Sequence, residues 1–195
     1  ASRVGSLTIA VDLAPDGEVP FEVFLPDTSG SAGLALAVGV QGGAPILNDL
    51  GTTGVQLQLQ AATTVGTADG AAVELHTGSL AEAQLPPGLP VMAPVLANQG
   101  AYIGPPGVTF SPAADLTVTN SGAWPAGTTL NVLRLDPDSG EWIDLGMGTV
   151  DAGGATITAA GAVDRAALYV FAGTVSAGAT IDLRVLDLTV GSPIP

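Results

Sequence analysis

Apolar and polar residues alternate along most of this chain, and that alternation constrains its fold more than any other feature. Residues 54–60 read GVQLQLQ, and residues 6–13 read SLTIAVDL. A period of two places the apolar side chains on one face of a β-strand. Turn residues interrupt the pattern at roughly the 8–12-residue spacing of sandwiches and barrels. The chain is therefore predicted to be all-β, built as an antiparallel β-sandwich.

The same pattern locates further strands and a single domain. Strands are predicted at 20–25, 71–76, 90–97, 115–119, 128–135, 141–145, 155–160, 167–172 and 180–190. A short helix is predicted at 79–85, where Pro86 would end it. A chain of 195 residues fits one all-β unit. Residues 1–50 then supply N-terminal strands and residues 174–195 a C-terminal strand.

Charge and hydropathy exclude several partners. The chain has 18 acidic residues against four arginines and no lysine, which gives a net charge of −14. Nucleic acids and anionic membranes would repel such a protein. The longest apolar stretch, residues 33–40, is too short to span a membrane, so no membrane insertion is expected. Only 4% of the residues are aromatic, so the core must consist mainly of aliphatic side chains.

The chain contains no cysteine, which excludes disulfides, thiolate metal sites and cysteine nucleophiles. It begins at Ala1 rather than methionine, as a mature secreted protein does after its signal peptide is removed. We therefore expect an extracellular or cell-surface location.

Two segments carry a resemblance to a known family. Residues 70–80, GAAVELHTGSL, are followed by residues 103–120, IGPPGVTFSPAADLTVTN. Their order is similar to that of the ZU5 domain, in which a strand precedes a Gly-Pro-x-Gly corner. Residues 130–173 are similar to the segment that follows this corner in secreted bacterial proteins of adhesin type. The resemblance covers about residues 54–173.

The resemblance implies a ZU5-like sandwich, extended by strands at both ends of the chain. Some ZU5 relatives cleave themselves at a His-Phe-Ser step near the closing strand. Residues 167–173 read ALYVFAG and contain neither His nor Ser. No autoproteolysis is therefore carried over to this chain.

One turn-like segment offers possible metal ligands. Residues 136–142, DPDSGEW, contain the carboxylates of Asp136, Asp138 and Glu141, which are the hard oxygen ligands that Ca²⁺ prefers. The alternative is a hairpin turn in which Gly140 takes the left-handed conformation. We prefer the turn, because an EF-hand-like loop needs glycine at its sixth position and Gly140 is fifth. No metal site is therefore assigned.

The remaining candidates for chemistry also have simpler interpretations. His76 is the only histidine, and the nearby Ser79 lacks the Gly-x-Ser-x-Gly setting of a nucleophile elbow. Trp124 and Trp142 would form either a small binding platform or, as we favour, part of the core. We expect no catalytic residues, no enzyme activity and no cofactor.

These observations favour a structural function. Low charge and apolar strands at both ends are what ordinary monomers avoid at sheet edges. We expect a secreted subunit of an extracellular fibre or surface layer, which self-associates by strand addition between subunits. The alternative is an adhesion or binding module on a cell surface.

Overall fold

The computed structural model describes residues 26–86 and 98–173. The strands predicted at 6–13, 20–25, 90–97 and 180–190 lie outside these ranges. The described residues form these strands: β1 (Leu34–Leu36), β2 (Gly39–Val40), β3 (Ile46–Asp49), β4 (Val55–Gln58), β5 (Thr64–Gly66), β6 (Val73–Ala81), β7 (Gln99–Gly104), β8 (Thr109–Thr119), β9 (Thr129–Leu135), β10 (Trp142–Val150), β11 (Thr156–Arg165) and β12 (Leu168–Gly173). No α-helix occurs among them, so the all-β class is confirmed.

The strands form one antiparallel sheet that is nearly closed into a barrel. Its order is β1-β6-β7-β12-β9-β10-β11-β8-β4-β3, with β5 added to β8 and β2 added to β5. The strands β1 and β3 stand at the two ends of this order. In the described part of the chain, no strand pairs with the outer edge of either one.

Two neighbouring strands are buried on both faces. Every residue of β7 and of β12 is buried. The main core includes Leu57, Leu116, Ile157, Tyr169 and Phe171. A second cluster of Leu80, Tyr102, Leu135 and Leu168 lies beside it, with Leu85 and Trp142 packed against it. These strands lack alternation because neither of their faces meets water.

The helix predicted at 79–85 is wrong. Strand β6 continues to Ala81, and only a single 3-10 turn, Glu82–Gln84, follows. Leu80 is buried and its backbone is paired with that of Gly100 in β7. Cross-strand pairing and burial therefore override the local helix preference of this segment.

The residue types of the Gly-Pro-Pro-Gly corner predict prolines outside the sheet, a positive φ at Gly107 and an inward-facing Val108 and Phe110, and the structure has all three. Pro105 and Pro106 lie between β7 and β8, outside both strands. Gly107 has φ +89°, a conformation that favours glycine. Val108 and Phe110 are 2% and 3% exposed. The corner therefore turns two apolar side chains into the core.

The Ser111-Pro112 step predicts a break in the pairing between two strands, and the structure agrees only in part. The pairing with the neighbouring hairpin stops at Ser111 and resumes at Asp115, but the strand itself does not end. Strand β8 runs without interruption through Pro112. What changes at this point is its neighbour: Thr109–Ser111 pair with β5, whereas Asp115–Val118 pair with β4. Proline fits here because it lies between the two stretches of pairing and no ladder bond needs its missing N–H.

Strands β2 and β3 belong to one long edge. Gly39 pairs with Val65, and Asp49 pairs with Val55. These two pairs belong to one continuous register between residues 39–49 and 55–65. The bend at Gly42–Gly43 therefore inserts no extra residue into either side of the pairing. We call Gly39–Asp49 the edge segment.

Replacing Phe110 with alanine should lower the free energy of unfolding by about 3–5 kcal/mol, because it leaves a cavity in an aliphatic core. Ser111→Ala is the matched control, since Ser111 is the exposed neighbour on the same strand. We expect that control to change stability by less than about 0.5 kcal/mol. Urea denaturation measures both, and equal effects would contradict the placement of Phe110.

Candidate functional site

The two ends of the sheet meet at a buried carboxylate. Asp49, the last residue of β3, is 2% exposed. Its Oδ2 accepts hydrogen bonds from Ser31 Oγ at 2.6 Å and from Thr77 Oγ1 at 2.7 Å. Its Oδ1 accepts one from the backbone N–H of Ala32 at 3.0 Å. Asp49 thus joins β3 to β6 and to the residues that lead into β1.

A further hydroxyl extends this contact. Thr53 Oγ1 lies 2.8 Å from Thr77 Oγ1, and the N–H of Thr77 donates to Ser31 Oγ at 3.0 Å. We call Ser31, Asp49, Thr53 and Thr77 the seam network. The hydroxyl groups of this network bond to the Asp49 carboxylate and to one another. Nucleophilic catalysis by Ser31 would instead need a base between the Ser31 hydroxyl and the Asp49 carboxylate. The arrangement holds strands together.

The histidine lies on the opposite face of β6 from Thr77. His76 Nε2 is 3.7 Å from Glu74 Oε2, two residues earlier on the same face. Ser79 is exposed further along the strand. A Cβ built on Gly33 would meet the ring of His76 at 2.9 Å and Glu74 Oε1 at 2.5 Å, so β1 begins directly against this pair.

Of the three carboxylates considered as metal ligands, Asp136 and Asp138 face arginines, and Glu141 is exposed. Arg165 Nη1 lies 3.0 Å from Asp138 Oδ2 and 3.9 Å from Asp136 Oδ2. The buried Arg134 donates to Asp164, and its Nη2 lies 3.7 Å from Asp136 Oδ2. In residues 26–86 and 98–173, no three His, Cys, Asp or Glu side chains are grouped so as to hold a metal ion.

The turn expected at 136–142 is present. Asp136 donates its N–H to Glu141 O at 2.8 Å, and Gly140 donates to Asp136 O at 2.8 Å. Gly140 has φ +72°, the left-handed conformation predicted for it. The N–H of Asp138 is the main reason that the pKa of Asp136 lies below its ordinary value, and the two arginines lower it further. The contribution of this carboxylate to stability is therefore lost on acidification, as the pH falls through its lowered pKa.

The place of Asp115 just after the Ser-Pro step predicts a dispensable corner residue that faces solvent, and this prediction is wrong. The residue is half-buried. Its Oδ2 accepts from Gln60 Nε2 and its Oδ1 from the N–H of Gly161, both at 2.7 Å. Gly161 has φ +60° within the register shift of β11 against β8. Asp115 therefore holds a β-bulge, and its partners were too distant in sequence to be predicted.

The described residues line clefts at the surface of the sheet, and the lining of a pair of these is relevant to binding. One, of about 230 Å³, contains Gln99, whose Oε1 accepts from Ser121 Oγ at 2.9 Å and from the N–H groups of Ser121 and Gly122. The other, of about 320 Å³, lies between the loop 67–73 and the corner Pro105–Val108.

The tryptophans do not form an exposed platform. Trp124 is 8% exposed and belongs to the main core, as favoured from the sequence. Trp142 is half-buried and packs on the apolar clusters of β9 and β12.

Comparison of the chain with protein-family models, curated proteins and solved structures gives no match. The resemblance to ZU5 therefore stays a prediction. Among the residues that the structure describes, no helix has the length and apolar character needed to cross a membrane.

Replacing Asp49 with alanine should lower the free energy of unfolding by about 3 kcal/mol, because the donors of Ser31, Ala32 and the buried Thr77 would lose their acceptor. Asp49→Asn should cost less, since the amide keeps one acceptor oxygen. Glu141→Ala, which removes an exposed carboxylate, is the control. Urea denaturation in which all three variants unfold alike would refute the role of the seam network.

Adding EDTA should leave the melting temperature unchanged, because the turn at 136–142 is held by backbone hydrogen bonds and arginines. Circular dichroism melts with and without the chelator measure this. A fall of more than about 5 °C would establish a metal that stabilises the fold. It would also favour the adhesion module over the structural subunit.

Proposed function

We propose that this protein is a secreted structural subunit that self-associates by strand addition into an extracellular fibre or surface layer. One observation carries the proposal: β1, β2 and the first three residues of β3, which bound the described sheet, lie in a stretch without a charged residue from Thr28 to Asn48. The carboxylate that ends β3, Asp49, is buried and so places no charge on the exposed edge. Monomeric β-proteins usually protect such edges with charged side chains or proline. From the end of β1 to Asn48, Pro45 is the only proline, and no residue is charged.

Large apolar side chains are exposed along this stretch. Val38, Val40 and Ile46 are 42%, 69% and 45% exposed. Single exposed apolar residues are ordinary on protein surfaces. Three within nine positions at a sheet edge are more typical of a surface that another chain covers.

Electrostatics favours the same surface. Two copies of a chain with net charge −14 repel each other. The two arginines of the described residues, Arg134 and Arg165, are already paired with aspartates. The uncharged stretch from Thr28 to Asn48 is therefore where a second copy meets least repulsion.

The alternative is a cell-surface adhesion module with a ZU5-like sandwich fold. The cleft between the loop 67–73 and the corner Pro105–Val108 supports it, because binding sites commonly lie in loops that a rigid sheet positions. We propose no enzymatic activity and no cofactor for either function.

Introducing lysine at both Val40 and Ile46 should abolish assembly, because it places two unpaired charges on the edge. Light scattering and negative-stain electron microscopy of the full chain measure the assemblies. Met147→Lys is the matched control, since Met147 is 48% exposed on β10, away from this edge. It should assemble like the unmodified chain.

Assemblies that persist in the double lysine variant would contradict strand addition at this edge. An unmodified chain that stays monomeric at every concentration would overturn the structural function and leave the adhesion module. Melting curves of all three proteins verify that each is folded.

A further inference from the structure

The edge segment presents backbone groups outward in a regular pattern. Gln41 donates its N–H to Thr63 O at 2.9 Å, and Leu59 donates to Pro45 O at 3.0 Å. Odd-numbered residues of the edge segment therefore direct their backbone groups toward β4 and β5. Because these groups alternate along a strand, the N–H and C=O of Val40, Ile46 and Asn48 point away from the sheet.

The exposed side chains follow the same parity. Val40 and Ile46 are exposed, whereas Leu47 and Asp49 are buried. Val40 and Ile46 thus lie on one face and are equally far from Gly43 in sequence. No atom comes within 4 Å of a Cβ built on Gly42 or Gly43, so the bend leaves open space beside it.

The equal spacing of Val40 and Ile46 about Gly43 is what pairing with a second copy of the same chain would require. We propose that the edge segments of two copies pair antiparallel about a two-fold axis at Gly43, so that Val40 of each copy lies opposite Ile46 of the other. The inference rests on the proposed function and specifies its first contact.

The pairing provides hydrogen-bond partners for outward-facing backbone groups of both edge segments. An antiparallel pair in which both residues direct their backbone groups at each other exchanges two hydrogen bonds. The two-fold axis produces that exchange twice, and each time it brings a valine against an isoleucine. A two-fold contact of this kind closes on itself as a dimer. The outer edge of β1, with which no strand of residues 26–86 and 98–173 pairs, then remains for contacts between dimers.

Cysteine crosslinking tests this geometry, because the chain has no cysteine of its own. Val40→Cys and Ile46→Cys are made separately in the full chain, and the two proteins are mixed before a short bismaleimide is added. Directly opposed Cβ atoms lie about 4.5–5.5 Å apart, within reach of the reagent. Two Val40 positions would be six residues apart along the pair, roughly 20 Å, and out of reach.

The mixture should give crosslinked heterodimer several-fold above either variant alone. Val40→Cys mixed with Met147→Cys is the control and should give background only. Stronger crosslinking within a single variant, or equal crosslinking in the control, would overturn the pairing. Thiols that a monofunctional maleimide cannot label in the folded protein after dilution to the monomer would show that another segment of the same chain covers the edge, which also overturns the pairing.

Light scattering of the unmodified chain separates the two possible failures. If it assembles but the mixture does not crosslink, the pairing geometry is wrong and the proposed function stands. If it is monomeric at the crosslinking concentration and above, the proposed function fails as well.

Discussion

The hydrogen bonds of one buried carboxylate replace the missing ladder between the two ends of the sheet. Elsewhere, neighbouring strands are joined by repeated backbone hydrogen bonds. At the seam, Asp49 collects donors from Ser31, Ala32 and Thr77, three residues from two other parts of the chain. A buried carboxylate without such donors would be costly. The nearly closed shape therefore depends on these donors converging at one point.

Alternation in the sequence located the longer strands whose two faces differ. Of the two strands that are buried on both faces, β12 was predicted at 167–172 and β7 was missed. GVQLQLQ alternates because β4 has one face in the core and one toward solvent. Strand β7, QGAYIG, is buried on both faces and shows no period, so it was not predicted. Strands β1, β2, β3 and β5 were missed because each is only two to four residues long. The turn at 136–142 was predicted because its conformation depends on local residues.

The polar contacts could not be predicted for a different reason. In the sequence, nothing beside Asp115 or Asp49 distinguishes them from aspartates that lie on a protein surface. Their partners, Gly161 and Thr77 among them, come close only after distant strands have paired. Side-chain identity gives the capacity to accept hydrogen bonds, whereas strand order decides which donors arrive. The prediction from the sequence that Asp115 is dispensable was wrong for this reason.

Strand β8 has a consequence for the time that folding takes. Its neighbours β4 and β5 come before the segment 87–97 in the chain. Its third neighbour, β11, comes after β8 itself. The hairpin of 39–66 involves only nearby residues and can form early, but it joins the sheet only when β8 arrives from far along the chain. Closing such long loops costs entropy before any contact repays it. Completion of β8 is thus the slow event, and until then the hairpin presents both of its edges to other chains.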